Sequence, residues 1–107
     1  MKEIIFEQYS MECISTLCGI DDEHLKILRE YFDCDLVFRN SKLQIFSDDN
    51  IAKQIESVIQ KMLQMIKLQN EINQRDVLYL CKLASINELE RFVVESPKMV
   101  GKQFMVN

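Results

Sequence analysis

Residues 34–49 read CDLVFRNSKLQIFSDD, and their alternation decides the fold class. Leu36 and Phe38 alternate with Asp35 and Arg39, and Leu43 and Ile45 alternate with Lys42 and Gln44. An apolar residue at every second position puts one face of a strand on a core and the other in water. Two such runs around Arg39-Asn40-Ser41-Lys42 predict a β-hairpin. The same alternation predicts that Leu36, Phe38, Leu43 and Ile45 point inward, because a slip of one residue would bury Asp35 and Arg39.

Helical spacing takes over on both sides of the hairpin. Downstream, Asp48 and Asp49 supply a start signal. Ile51, Ile55, Val58, Ile59, Met62, Leu63 and Ile66 then form one apolar stripe to about Gln69. Upstream, Lys2 to Glu7 holds a short strand-like run, Ile4-Ile5-Phe6. Ser10 can cap a helix to about Cys18, and Gly19 ends it in the manner of a left-handed C-terminal residue. Asp21 or Asp22 starts another helix with Leu25, Leu28 and Phe32 on one side. The order is β-α-α-β-β-α, an α+β fold: a three-stranded sheet with helices on one face.

Past residue 70, Asn73-Gln-Arg-Asp76 resembles a capping box. Val77, Leu78, Tyr79, Leu80, Cys81, Leu83 and Ala84 follow, so this helix is expected to be apolar nearly all round. Another helical stretch is expected from Ile86 to Glu95. From Ser96 the pattern stops, which divides the chain into a domain over 1–70, a helical extension over 71–95 and a tail over 96–107.

Composition excludes several function classes. The 107 residues contain two glycines, Gly19 and Gly101, far apart, so no glycine-rich phosphate loop exists here. A single histidine, His24, excludes multi-histidine catalytic metal sites and, beside three acids, reads as a surface or capping residue. The net charge of −4 is the wrong sign for binding nucleic acid by bulk electrostatics, so any RNA contact needs a local patch. Cys13, Cys18, Cys34 and Cys81 form no C-x-x-C pair and read as reduced, core-type thiols of a cytoplasmic protein. No apolar run approaches the ~20 residues of a membrane span. No pair of carboxylates stands apart from solvated helix faces, so no catalytic residue is assigned. The methionines, chiefly Met62 and Met65, read as core filler.

The β-α-α-β-β-α order with a tight Gly turn resembles a KH-type RNA-binding fold. The stretches LCGIDDEHLKIL (17–28), LVFRNSKLQIFSDD (36–49) and INQRDVLYLCKLASINELERF (72–92) together resemble the N-terminal region of PhoH-family proteins. These are P-loop ATPases linked to phosphate starvation and RNA metabolism. GKQFMV (101–106) resembles the segment leading into their ATPase domain. The resemblance implies a KH-like accessory domain without that ATPase, as a fragment or a stand-alone remnant. ATP, Mg²⁺ and hydrolysis would then belong to the absent part, and no cofactor is expected in this chain.

It also implies a site. A KH loop is Gly-x-x-Gly, and the matching positions here are Gly19-Ile20-Asp21-Asp22, with a carboxylate at the second glycine. Asn40 and Ser47 also stand where relatives often have glycine. Lys26 and Arg29 are the cations nearest the turn, and Arg39 and Lys42 flank the hairpin turn. Gly19, Ile20, Asp22, Lys26, Arg29, Arg39 and Lys42 are therefore the candidate contacts to single-stranded RNA. Against that, Asp22–Lys26, Lys26–Glu30 and Arg29–Asp33 have the i,i+4 spacing of ordinary helix ion pairs. Tyr31, Phe32 and Phe38 fit core packing better than base stacking. The alternative function is assembly: Val77, Leu80, Leu83 and Phe92 would dock the PhoH-type ATPase domain, another protein or a second copy.

Overall fold

A computed structural model describes residues 1–69 and 71–92. The expected tail over 96–107, and the end of the helix expected to reach Glu95, lie outside the described residues. Three strands, β1 (Lys2–Ile5), β2 (Asp35–Arg39) and β3 (Lys42–Phe46), form an antiparallel sheet in the order β1-β3-β2. The helices are α1 (Met11–Cys18), α2 (Glu23–Phe32), α3 (Asp49–Gln69) and α4 (Gln74–Ser85). The fold is α+β in the expected order, extended at its C-terminal side by α4.

The hairpin forms as its alternation dictates. Leu36 lies opposite Ile45, and Phe38 opposite Leu43. Leu36, Leu43 and Ile45 are buried, and the half-buried Phe38 packs on the same core against Phe6. Asn40 and Ser41 both take positive φ, the two-residue turn whose twist suits a hairpin.

Local signals account for the helix starts. Ser10 accepts from the Cys13 amide at 3.1 Å, and Asp48 Oδ1 from the Ile51 amide at 2.8 Å. Asn73 and Asp76 form a reciprocal capping box at 2.9 and 3.2 Å. The α3 stripe from Ile55 to Ile66 is buried, as is Met65, and Ile51 at its start is half-buried. One core cluster joins it to Ile4, Phe6, Leu17, Leu28 and to Val77, Leu80 and Cys81 of α4.

Several expectations are corrected. Gly19 is not left-handed helical: its φ of 80° and ψ of 174° lie in a region essentially reserved for glycine. Asp21 and Asp22 take the left-handed conformation instead, and no side chain caps α2. His24 is not on the surface but 2% exposed, because it shares a face with Leu28 one turn on. No ion pair joins Asp22 to Lys26, Lys26 to Glu30 or Arg29 to Asp33 among the described residues. In the described part, residues 86–92, of the helix expected over Ile86–Glu95 there is only a tight turn at Leu89–Arg91, since Asn87 turns left-handed after Ser85. Helix α4 is also less uniform than expected: Val77, Leu80, Cys81 and Ala84 are buried, whereas Leu78 and Tyr79 are exposed.

Candidate nucleic-acid interface

The connection between α1 and α2 is built from one glycine and two left-handed aspartates. The Asp22 amide donates to the Gly19 carbonyl at 3.2 Å, closing the turn. Left-handed backbone at a non-glycine residue costs about 1–2 kcal/mol, and here two such residues are consecutive. Ile20, Asp21 and Asp22 all project into solvent, with Ile20 78% exposed. A Cβ on Gly19 would lie 2.7 Å from Glu23 Cγ and 3.0 Å from the His24 ring.

His24 holds the turn from beneath. Its Nδ1 lies 3.2 Å from the Thr16 carbonyl and 3.1 Å from the Leu17 carbonyl. Both are acceptors only, so Nδ1 carries the proton and donates to the last turn of α1. Nε2 is buried without a hydrogen bond, 3.8 Å from Glu23 Oε1. Glu23 Oε2 accepts from the Gln74 side chain, which links the start of α2 to α4. Burial, and next the charge of Asp22, push the Cys18 thiol up to about 11. Burial pushes the Cys81 thiol up to about 12, and the half-buried Cys13 and Cys34 thiols are raised less. None of these thiols has the electropositive, open surroundings of a reactive cysteine.

The four candidate cations fall into two kinds. Lys26 is exposed on α2 and forms no ion pair among the described residues. Arg29 is half-buried, and its Nη1 donates to the Leu36 carbonyl at 3.0 Å. It therefore ties α2 to β2. Asp33 is left-handed, so the chain reverses between α2 and β2. That reversal puts the first turn of α2 and the hairpin tip at the same end of the molecule. Arg39 and Lys42 lie opposite one another at that tip.

The aromatic and α4 residues distribute differently. Phe32 is buried, and the Tyr31 hydroxyl, 3.1 Å from Ser85 Oγ, reaches across to α4. Val77 and Leu80 are fully buried in their own chain, so they offer nothing to a partner in this fold. Leu83 and Phe92 are half-buried and, with Tyr79, line a shallow depression. Sequence reasoning missed the exposed Ile5 and Phe46 on the outer side of the sheet, although their alternation with Ile4 and Ile45 carries that information. It also missed an open groove of about 590 Å³ between the start of α1 and α3, lined by Tyr9, Cys13, Gln60, Leu63, Gln64 and Lys67 among others.

Fold and site thus define a small α+β domain with an exposed helix–turn–helix tip beside a basic hairpin. Among curated proteins the chain is similar to a PhoH-like protein of Bacillus subtilis (strain 168), with 30% identity over 77 residues. Those residues are 72% of this chain and 24% of the relative, which supports a relation to the PhoH family. The chain thus matches about a quarter of that protein's length. No family profile and no solved structure matches the chain. No helix of the described residues is long and apolar enough to cross a membrane.

Proposed function

We propose that this chain is a KH-like accessory domain of a PhoH-type protein that binds single-stranded RNA weakly. The observation that carries the reading is the exposed Gly19–Asp22 turn between α1 and α2, at the same end as the Arg39–Lys42 tip. In this reading the backbone of the turn approaches the sugar-phosphate chain, while Lys26, Arg39 and Lys42 contact phosphates. Arg29 shapes the groove by holding α2 against β2. Asp21 and Asp22 oppose the ligand's charge and keep affinity low. ATP and Mg²⁺ belong to the ATPase region of the parent protein, and the whole operates in the cytoplasm.

The test is titration of a short labelled RNA at low salt. With about two or three phosphates contacted, log K should fall against log salt with a slope of about −1.5 to −2. Lys26→Glu should weaken binding at least ~10-fold, and Asp22→Gly should tighten it ~3-fold or more, the order expected for losing or relieving one charge contact. A flat titration for all three proteins would overturn the proposal. A second reading, docking of a protein partner, is favoured by Leu78, Tyr79 and Ile86, which are 41%, 51% and 64% exposed. Loss of binding to the ATPase region on Tyr79→Glu, with RNA affinity unchanged, would select it.

A further inference from the structure

The sheet has two unlike faces. Its inner face carries Ile4, Leu36, Leu43 and Ile45 onto the helices. Its outer face is covered by no element among the described residues, yet it is not a plain polar surface. Ile5 is 51% exposed and Phe46 45%, and Val37 on β2 is half-buried.

The register fixes how charge is spread over that face. Across β2 and β3, Asp35 lies opposite Phe46, Val37 opposite Gln44, and Arg39 opposite Lys42. On β1, Glu3 lies opposite Gln44 and Ile5 opposite Lys42. The hairpin end is therefore cationic, the far end carries Asp35 and an aromatic ring, and Val37 and Gln44 sit midway along the strands, with Gln44 on the middle strand. Such a face is polarised along the strands and complementary to itself when one copy is reversed.

We infer that the outer sheet face binds a second copy of this chain, sheet against sheet, about a two-fold axis lying in the sheet plane and crossing the strands at Val37. This axis turns each strand over its own counterpart in the opposite direction. Asp35 of one copy then meets Arg39 of the other, twice. Phe46 meets Lys42, a cation–π pair, also twice. Val37 packs on Val37 at the β2 margin, and Gln44 meets Gln44 on the middle strand. The two Glu3 carboxylates approach at the β1 margin, where each already accepts from its own Gln44 amide at 3.1 Å. The alternative axis, along the strands, would set Arg39 against Ile5 and leave Asp35 without a cation.

The contact is small. Three strands at ~4.8 Å spacing and five residues at ~3.3 Å give a footprint of roughly 14 by 17 Å. That is well short of the ~800 Å² per partner of a stable complex, so association is weak and salt-sensitive. An RNA covering the same face would leave Asp35 and Glu3 against phosphate, which is why a second copy fits better.

Sedimentation velocity on the full chain, from ~10 μM to ~1 mM at low salt, should show a monomer–dimer equilibrium with Kd in the range of about 50–500 μM. Arg39→Asp sets Asp against Asp across the axis and should raise Kd at least ~10-fold, about 1.4 kcal/mol. The swap Asp35→Arg/Arg39→Asp restores both pairs and should return Kd to within ~3-fold of the starting value. The substituted positions Asp35, Arg39 and Phe46 are all exposed, and a melting temperature for each variant confirms folding. A monomer at every concentration would overturn the inference. So would an Arg39→Asp chain that dimerises unchanged, or a swap no better than the single change. Phe46→Ala abolishing RNA binding while leaving self-association intact would also overturn it.

Discussion

Two turns in this molecule use the same backbone device for different ends. Asn40-Ser41 closes the hairpin and Asp21-Asp22 joins two helices, and in each pair both residues are left-handed without a glycine. At the hairpin the strain is matched by pairing. Arg39 and Lys42 face each other across the turn, and the Ser41 carbonyl accepts from the Phe6 amide at 2.8 Å. At the helix junction the backbone bonds across the turn are local, from the Asp22 amide to the Gly19 carbonyl at 3.2 Å and from the Glu23 amide to the Ile20 carbonyl. Support comes from below, through His24. One turn is locked into a sheet, while the other is a strained, charged tip resting on a single buried ring.

The comparison breaks most sharply at Gly19. Its φ and ψ exclude a side chain, and an added Cβ would strike Glu23 and His24. Gly19→Ala should cost about 3 kcal/mol in denaturant unfolding, the upper range for a forced backbone outlier with a clash. No single residue of the hairpin turn should approach that loss. A cost below about 1 kcal/mol would mean that the junction relaxes freely.

The junction also carries an alkaline weakness that the hairpin lacks. Cys18 directly precedes Gly19, and its thiol is raised from about 9.0 to about 11. Cys81, in the same core, is raised to about 12. Folding holds both thiols protonated, so above the unfolded value the unfolded chain binds fewer protons and gains relative to the native state. Stability should be level below pH 9 and fall as pH rises toward 11 and 12. Urea midpoints measured across this window should decline less in Cys81→Ala, judged by slope because the substitution shifts the starting value. An unchanged slope would remove the thiols as the cause.

How much of this was readable in the sequence follows from where the information lies. The hairpin, the α3 stripe and the Asn73 capping box were legible because alternation, 3.6-residue spacing and capping are local. Asp22 does stand at the start of α2 as read, but the left-handed backbone of Asp21 and Asp22, and the absence of a side-chain cap from Asp22, left no mark in the sequence. His24 was misplaced because flanking acids suggest water, while its spacing from Leu28 points inward. Ile86–Glu95 carried helical spacing, yet Asn87 breaks it, and no propensity argument anticipates that choice between neighbouring residues. Around the candidate site, the tight connection after Gly19 was legible, because a glycine between two helical stretches is a local signal. The bond from Arg29 to Leu36 was not, because a carbonyl acceptor leaves no mark in a sequence.

That bond gives the next smaller effect. Arg29→Met keeps the buried stem but removes the donor to the Leu36 carbonyl, and should cost about 1 kcal/mol. The hairpin should be untouched. Amide exchange ought to accelerate in β2 and the end of α2 but not across β1–β3. Uniform acceleration would show that the bond supports the whole core rather than one edge.

The smallest effects sharpen the comparison by making both turns alike. Ser41→Gly gives the Asn-Gly pair preferred in two-residue hairpins and should stabilise by about 0.5 kcal/mol, since relief of left-handed strain is partly offset by the freer unfolded chain. Asp22→Gly relieves the same strain and also removes a carboxylate from beside Asp21 and Cys18. Its gain should therefore be slightly larger, about 0.5–1 kcal/mol. The two differ in their side effect. Only Asp22→Gly lowers the Cys18 thiol toward its ordinary value, because Asp22 is one of the causes that raise it. Thermal melts of both variants at pH 7 and pH 10 separate the terms: Ser41→Gly should shift both melts equally, and Asp22→Gly should gain more at pH 10. If Asp22→Gly destabilises at pH 7, the aspartate side chain holds the junction by a contact worth more than the strain it carries, and the tip is built for stability after all.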